Sequence, residues 1–174
     1  MWINPNDVQF VLVRNGEDSE MLLDLMKRAM MLYAQEAQLP LYRRDGTYYL
    51  PALNETRGDI LWAIENEEFL ALMDHDQYLA TCRLVSDYKR GKSLLTRFSV
   101  HPKLYKTNIA EIFLDRVIAY ARKQGLQELY VYIAQSHKPL MDLFKSRNFM
   151  LYSINDGHPY PKVCLIKDLQ RGLF

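Results

Sequence analysis

The sequence lacks both a long apolar run and an excess of one charge. It has 22 Lys and Arg against 21 Asp and Glu, a formal net charge of +1 over 174 residues. A dedicated nucleic-acid-binding domain is usually strongly basic, so we expect no nucleic-acid partner. No stretch approaches the roughly 20 apolar residues that span a bilayer, and the first residues are not a basic region followed by an apolar one. We therefore expect a cytoplasmic protein without membrane association.

Cysteine is scarce, and the spacing of known metal or redox motifs is missing. Cys82 and Cys164 lie far apart in apolar, strand-like runs, so we expect two buried thiols. The four histidines show no metal-ligand spacing, and there is no nucleophile elbow, P-loop or dinucleotide fingerprint. We expect no metal. With 49% hydrophobic residues the chain can bury a core as a single domain, residues 1–174.

The charges that are present are unevenly distributed. Residues 55–76 hold seven acids and one base, whereas residues 83–106 hold seven bases and one acid. Two solvated faces would explain this pattern. The alternative is a polyanionic ligand beside the basic segment, with the acidic segment attracting a cationic amine.

Hydrophobic periodicity predicts the order of the elements. The expected order is a strand, a long helix, an irregular segment, a three-strand meander, a helix, a strand, a short helix and two final strands. The strands are predicted at 8–13, 69–73, 78–85, 94–100, 129–133, 149–152 and 163–166, the helices from 18 or 19, at 108–123 and at 139–144, and the irregular segment at 38–60. This is an α+β class with a mostly antiparallel sheet of about seven strands flanked by helices.

The segment 96–114 is the most informative part. A helix that begins just after a strand presents unpaired N–H groups and the positive end of its dipole, a suitable place for phosphate. Lys103 and Lys106 flank that place. Because Pro102 cannot donate to a ladder, we expect a neighbouring strand to separate there and leave polar backbone free. Asn108 is expected to adopt a left-handed backbone or to cap the helix with Glu111; the alternative is a capped core helix without a ligand.

Two motifs carry a family resemblance. The run L-L-T-R-F-S-V-H-P at 94–102 and the ending L-F-K-S-R-N-F at 143–149 resemble the core of the GNAT family of acyl-CoA-dependent N-acyltransferases. The resemblance implies splayed fourth and fifth strands, acetyl-CoA or another acyl-CoA as co-substrate, and a small-molecule or peptide amine as acceptor. It also permits a homodimer through exposed strand edges.

The resemblance implies a set of cofactor contacts. Phe98 and Val100 fall where the family offers backbone to the pantetheine arm, and Tyr105, Asn108 and Ala110 take the Q/R, first Gly and final Gly/Ala positions of the pyrophosphate loop. The full implied set is Phe98, Ser99, Val100, Tyr105, Lys106, Thr107, Asn108, Ile109, Ala110, His137 and Phe144.

The expected catalytic groups are incomplete. Phe144 replaces the tyrosine that often protonates the departing thiolate, and phenylalanine has no proton to give. Tyr132, Tyr152 or a water would have to serve, or a thiolate of pKa about 8.5 would leave unassisted. The fourth strand holds no carboxylate, so His101 and His137 are the leading base candidates and Glu68 or Asp74 weaker ones.

Two other functions fit the same residues. A GNAT-shaped protein that has lost catalysis and acts as an acyl-CoA-binding regulator is favoured by Phe144 and by the loop without glycine. An enzyme similar to acyl-homoserine-lactone synthases is indicated by residues 78–85 followed by T-R-F at 96–98, although Leu94 or Leu95 stands where those enzymes place an acid.

Overall fold

A computed structural model describes residues 1–170, which form a single seven-stranded sheet flanked by four α-helices. The strands are β1 (Gln9–Leu12), β2 (Glu68–Asp74), β3 (Gln77–Asp87), β4 (Lys92–Val100), β5 (Glu128–Ala134), β6 (Met150–Asn155) and β7 (Lys162–Asp168). The helices are α1 (Ser19–Glu36), α2 (Arg57–Asn66), α3 (Ile109–Lys123) and α4 (Lys138–Ser146), with 3-10 turns at Pro5–Asp7, Pro51–Asn54 and Pro102–Leu104. The strand order is β1-β2-β3-β4-β5-β7-β6, and only β4 and β5 are parallel neighbours within the described residues. The predicted fold class is confirmed.

Helices cover both faces of the sheet, because successive strand residues point to opposite sides. Along β2, Phe69 and Ala71 pack into a cluster with α1 and α2, whereas Leu70 and Leu72 pack into the main core with α3. Both cysteines are buried free thiols, as expected. Among residues 1–170, no helix combines the length and apolar character that crossing a bilayer requires.

The helix α2 was not predicted. Residues 38–60 were expected to be irregular, but α2 begins at Arg57 and a 3-10 turn precedes it. A capping box starts the helix: the Thr56 N–H donates to the Asp59 carboxylate at 2.7 Å, and the Thr56 hydroxyl accepts the Asp59 N–H at 3.4 Å. The T-x-x-D pattern before a buried Ile60 was the signal that could have identified this helix.

A bulge in β4 separates it from β5. Thr81 pairs with Ser99 and Arg83 pairs with Thr96, so β4 carries one extra residue between these two pairs. Arg97 lies in this bulge with a left-handed φ of 55°.

The parallel pairing of β4 with β5 ends at the same level of the sheet. It runs from Lys92 and Glu128 to Leu95 and Val131 and goes no further. The predicted separation of the two strands is confirmed, but it begins at the bulge rather than at Pro102. The bulge bends β4 away from its parallel neighbour, which a proline beyond the strand end does not do.

Candidate functional site

The separation of β4 and β5 leaves backbone groups of β4 without a strand partner. The His101 N–H donates to the Leu79 carbonyl of the β3 side at 2.8 Å. Because alternate residues of a strand direct their N–H and C=O groups to opposite neighbours, the backbone groups of Phe98 and Val100 face the gap.

A cavity of ≈ 280 Å³, here called the α4 cavity, lies beside this gap. Its walls come from α1, from the end of β4, from the loop before α3 and from α4. The lining residues are Ala29, Leu32, Tyr33, Glu36, Phe98, Val100, Tyr105, Thr107, Ala110, Glu111, His137, Pro139, Leu140 and Leu143. The cavity therefore brings together several of the implied cofactor contacts.

Tyr33 occupies the gap itself. Its hydroxyl accepts the Ala134 N–H of β5 at 2.6 Å, and its ring stacks on the His137 ring with 4.6 Å between centroids. Burial raises the pKa of Tyr33 above its usual value of 10.0. The hydroxyl proton remains available to a ligand in the gap. Sequence reasoning missed Tyr33 as a site residue, and no motif marks it within the predicted first helix.

His137 caps α4 and is buried. Its Nδ1 accepts the Leu140 N–H at 3.2 Å, which assigns the ring proton to Nε2, 3.3 Å from a carboxylate oxygen of Glu36. Burial lowers the pKa of His137 below 6.5, and the attraction of Glu36 opposes this shift. Both ring nitrogens are therefore engaged by the protein.

Glu36 links three parts of the α4 cavity. In addition to His137, its carboxylate accepts the Tyr105 hydroxyl at 2.7 Å. The end of α1, the loop before α3 and the start of α4 thus meet at one side chain. Sequence reasoning missed Glu36, and no motif marks it.

Asn108 does not have the predicted conformation. Its φ is −87° and its side chain does not cap α3. Instead Asn108 exchanges two hydrogen bonds of 2.7 Å with the backbone N–H and C=O of Ile3. The expectations of a left-handed backbone and of a capping pair with Glu111 are both wrong, because the long-range contact to the N-terminal segment takes the side chain.

The other implied contacts fall in different environments. Thr107 and Ala110 line the α4 cavity, Lys106 is exposed, and Ile109 is fully buried. Ser99 is buried and donates to the Arg97 carbonyl at 2.9 Å.

Phe144 lies in the hydrophobic core. It has no exposed surface, and its ring packs 5.5 Å from Phe98 and 4.9 Å from Phe149. It is not among the lining residues of the α4 cavity.

The α4 cavity suits part of an acyl-CoA molecule, since ≈ 280 Å³ is less than the volume of the whole co-substrate. Apolar walls and free strand backbone suit a pantetheine arm, and the first-turn N–H groups of Ala110 and Glu111 lie where an anion is favoured. Lys103 and Lys106 are exposed nearby. The Glu111 carboxylate is the unfavourable group, since its Oε2 is buried and has no hydrogen-bond partner within residues 1–170.

A second cavity, here called the Tyr160 cavity, has a volume of ≈ 420 Å³. It shares Tyr33, Phe98 and Leu140 with the α4 cavity, so the two are adjacent at the gap. The remaining lining residues are Met30, Leu50, Pro51, Ala52, Leu95, Thr96, Arg97, Val131, Tyr132, Asn155, Tyr160 and Lys162. Tyr132 thus lies on this side of the gap, with half of its surface exposed.

His101 lies apart from the other two catalytic candidates. Its Nδ1 accepts the Lys103 N–H at 3.2 Å, and it faces a hollow near the N-terminal residues. Burial and the charge of Lys103 lower its pKa below 6.5. The structure therefore brings His137 and Tyr132 to the gap through the two cavities, and leaves His101 outside both.

The acidic and basic segments pair with each other. Arg83 binds Glu55 with two hydrogen bonds of 2.6 and 3.1 Å, and the Arg97 Nε donates to the same carboxylate at 3.1 Å. None of the carboxylates in 55–76 lines either cavity. The segment 55–76 therefore does not form the acidic wall expected for a cationic amine.

Metal-ligating side chains are not clustered in the part of the chain that the structure describes. No three His, Cys, Asp or Glu side chains there are grouped to hold a metal ion.

Comparison with known proteins agrees with this geometry. Many solved structures share the fold, among them the three that follow. The PaiA N-acetyltransferase from Thermoplasma acidophilum, in complex with coenzyme A, has a TM-score of 0.71 and 14% identity, covering 92% of this chain and 98% of that one. An N-acetyltransferase from Staphylococcus aureus Mu50 has a TM-score of 0.72 and 16% identity, covering 94% and 99%.

The third is YncA from Salmonella typhimurium, a putative acetyltransferase with acetyl-CoA bound, with a TM-score of 0.70 and 14% identity, covering 93% of this chain and 94% of that one. No curated protein is similar enough in sequence to count as a match. The sequence model of the acetyltransferase (GNAT) family matches residues 26–149. The chain therefore belongs to the GNAT acetyltransferase family.

Proposed function

We propose that this protein transfers an acyl group, most simply acetyl, from acyl-CoA directly to a primary amine at the gap between β4 and β5. The observation that carries the proposal is the end of pairing at Leu95 and Val131 beside two adjacent cavities. Acyl-CoA supplies an acyl group activated as a thioester. The α4 cavity would hold the pantetheine arm, and the Tyr160 cavity would hold the amine.

The residues at the gap have distinct proposed roles. One of the two unpaired N–H groups, on Phe98 or on Val100, would bind the carbonyl oxygen and stabilise the charge that develops on it. The Tyr33 hydroxyl would donate a hydrogen bond to the departing sulfur, a role that Phe144 cannot take. His137 is a positioning residue rather than a base, since Leu140 and Glu36 engage its two nitrogens.

The proton of the amine would be removed by a group within the Tyr160 cavity. Tyr132 lines it, but nearby Cys164 and burial raise the pKa of Tyr132 above 10.0, so the phenol is protonated at neutral pH and is a poor base. A water molecule in this partly open cavity would accept the proton instead.

Phe144, which has no proton to give, favours a second function, an acyl-CoA-binding protein without turnover. One pair of measurements separates the two. Titration calorimetry tests acetyl-CoA binding, and appearance of free CoA thiol with a panel of amines tests turnover. Binding without thiol release with any amine would support the second function, and absence of binding at millimolar acetyl-CoA would exclude both.

A matched pair of variants tests where acetyl-CoA binds. Ala110→Asp adds a negative charge to the cavity at the start of α3, and Ala119→Asp adds the same charge to an exposed position of the same helix. An aspartate in the first turn suits the helix dipole, so folding is preserved. We expect acetyl-CoA affinity to fall by about tenfold or more in the first variant only.

A further inference from the structure

The Tyr160 cavity carries positive charge that is not balanced at its surface. Arg97 and Lys162 line it, and no Asp or Glu does so among the described residues. The Lys162 ammonium lies 5.0 Å from the centre of the Tyr160 ring, and the Arg97 charge is close enough to lower the pKa of the Tyr160 hydroxyl against the effect of burial. Both cations therefore lie near the Tyr160 side chain.

Neither cation is neutralised by a partner of its own. Within residues 1–170, no carboxylate lies within 4.0 Å of the Lys162 ammonium. Arg97 uses only its Nε, toward a Glu55 carboxylate that already binds Arg83 through both oxygens. One carboxylate therefore faces two guanidinium groups, and the terminal nitrogens of Arg97 remain available to a ligand.

Glu67 is another acid close enough to act on Arg83 and Arg97, and it leaves the charge of the cavity wall unchanged. It does not line the cavity, and burial raises the pKa of Glu67 against the lowering effect of Arg83 and Arg97. Glu67 therefore adds no carboxylate to the cavity wall.

The rest of the cavity wall combines polar and apolar side chains, with more apolar than polar surface. Met30, Leu50, Leu95, Val131 and Leu140 contribute hydrocarbon surface. A volume of ≈ 420 Å³ suits a small molecule rather than a protein segment. A diammonium or polyamine acceptor would meet two cations and no acid there, an arrangement that rejects it by like-charge repulsion.

We propose that the acceptor is a small amine that also carries a carboxylate and an apolar group, the chemistry of an apolar α-amino acid. Arg97 and Lys162 bind the carboxylate, the apolar wall takes the side chain, and the amine points to the gap. The guanidinium of Arg97 matches a carboxylate through paired N–H groups, and Lys162 adds a second charge. This inference rests on the proposed function for the chemistry, but the binding preference stands on the cavity alone.

The test compares charged and neutral forms of one ligand. With acetyl-CoA, CoA release is measured with leucine, leucinamide and putrescine. We expect leucine to give a kcat/KM at least about tenfold above the other two, even though the amide is the more readily deprotonated amine. Independently of turnover, N-acetylleucine is expected to bind about tenfold more tightly than N-acetylleucinamide by calorimetry.

Variants assign the preference to the cavity. Lys162→Met should raise the KM for leucine about tenfold and leave the KM for acetyl-CoA unchanged, Lys162→Arg should restore most of the loss, and the exposed Lys145→Met should behave as wild type. Equal use of leucine and leucinamide, or a preference for putrescine, would overturn the acceptor class while leaving acyl transfer intact. Selective binding of N-acetylleucine without any CoA release would support the site and overturn the proposed transfer. Absence of both preference and binding would overturn this inference.

Discussion

The Tyr33 hydroxyl of α1 accepts a 2.6 Å hydrogen bond from the Ala134 N–H of β5, at the gap between β4 and β5. Ala134 is buried, so Tyr33→Phe leaves its N–H without a partner. We expect the free energy of unfolding to fall by about 1–3 kcal/mol in urea denaturation. If Tyr33 also donates to the departing sulfur, kcat should fall by about 100-fold. Exposed Tyr152→Phe is the control, and equal effects of the two variants would contradict the role of Tyr33.

The contact of Glu36 with His137 predicts a direction of titration. Burial lowers the pKa of His137 and the Glu36 charge partly compensates. Glu36→Gln removes the compensation, so the pKa of His137 should fall further below 6.5, as followed by the NMR shift of the imidazole protons. An increase in that pKa would show that the carboxylate does not act on the ring.

Acidification should destabilise the fold through the same histidine. Since the folded-state pKa of His137 lies below the ordinary 6.5, the unfolded chain binds the proton more readily. This contribution to stability is complete above about pH 6.5 and is lost as the pH falls toward the folded-state pKa. In His137→Asn, which keeps a capping side chain for α4, the melting temperature should change less between pH 7 and pH 5 than in wild type. An unchanged slope would assign the pH dependence to other groups.

The family glycine at position 108 should not improve this protein. Asn108 has an ordinary negative φ and holds Ile3 by two hydrogen bonds. Asn108→Gly should therefore lower the free energy of unfolding by about 1–3 kcal/mol and speed hydrogen exchange of the Ile3 amide. Asn108→Asp, which keeps the acceptor for the Ile3 N–H, should lose less. Tighter acetyl-CoA binding by the glycine variant would contradict this assignment.

Restoring the family tyrosine at position 144 should likewise fail. Phe144 is fully buried between Phe98 and Phe149, so Phe144→Tyr places a hydroxyl in a packed core. The cost is about 1–3 kcal/mol of unfolding free energy, and CoA release should not accelerate. Faster CoA release in this variant would assign the role of general acid to position 144 of α4 instead of Tyr33.

Patterns within single elements were predictable from the sequence. The apolar run of β2 and the helical spacing of α3 are local patterns that predict a strand and a helix. The helix α2 was not predicted, because the proline and glycine residues before it indicated an irregular segment. Its capping box is nevertheless a signal for the start of a helix. The separation of β4 and β5 was expected, although the bulge at Arg97 that causes it has no sequence signal beyond an arginine in a strand.

The site itself depends on contacts between distant parts of the chain. Tyr33 meets Ala134 across 101 positions, and Asn108 meets Ile3 across 105. Periodicity places such residues on a helix or loop, but only the packing of α1 against the open sheet decides which atoms meet. The pairing of Glu55 with Arg83 and Arg97 is similar: the two charged segments were visible in the sequence, but the contact of this one carboxylate with both guanidinium groups was not.

Because both cysteines are buried, the thiols of the folded protein should react little with thiol reagents. Cys82 and Cys164 are enclosed, and burial raises the pKa of each thiol above its ordinary value of 9.0, so the reactive thiolate is suppressed in the native state. A chromogenic disulfide reagent added to a reaction mixture therefore detects the thiol of released CoA with little background from protein thiols. On heating, reaction of the same reagent with the two cysteine thiols of each chain measures unfolding.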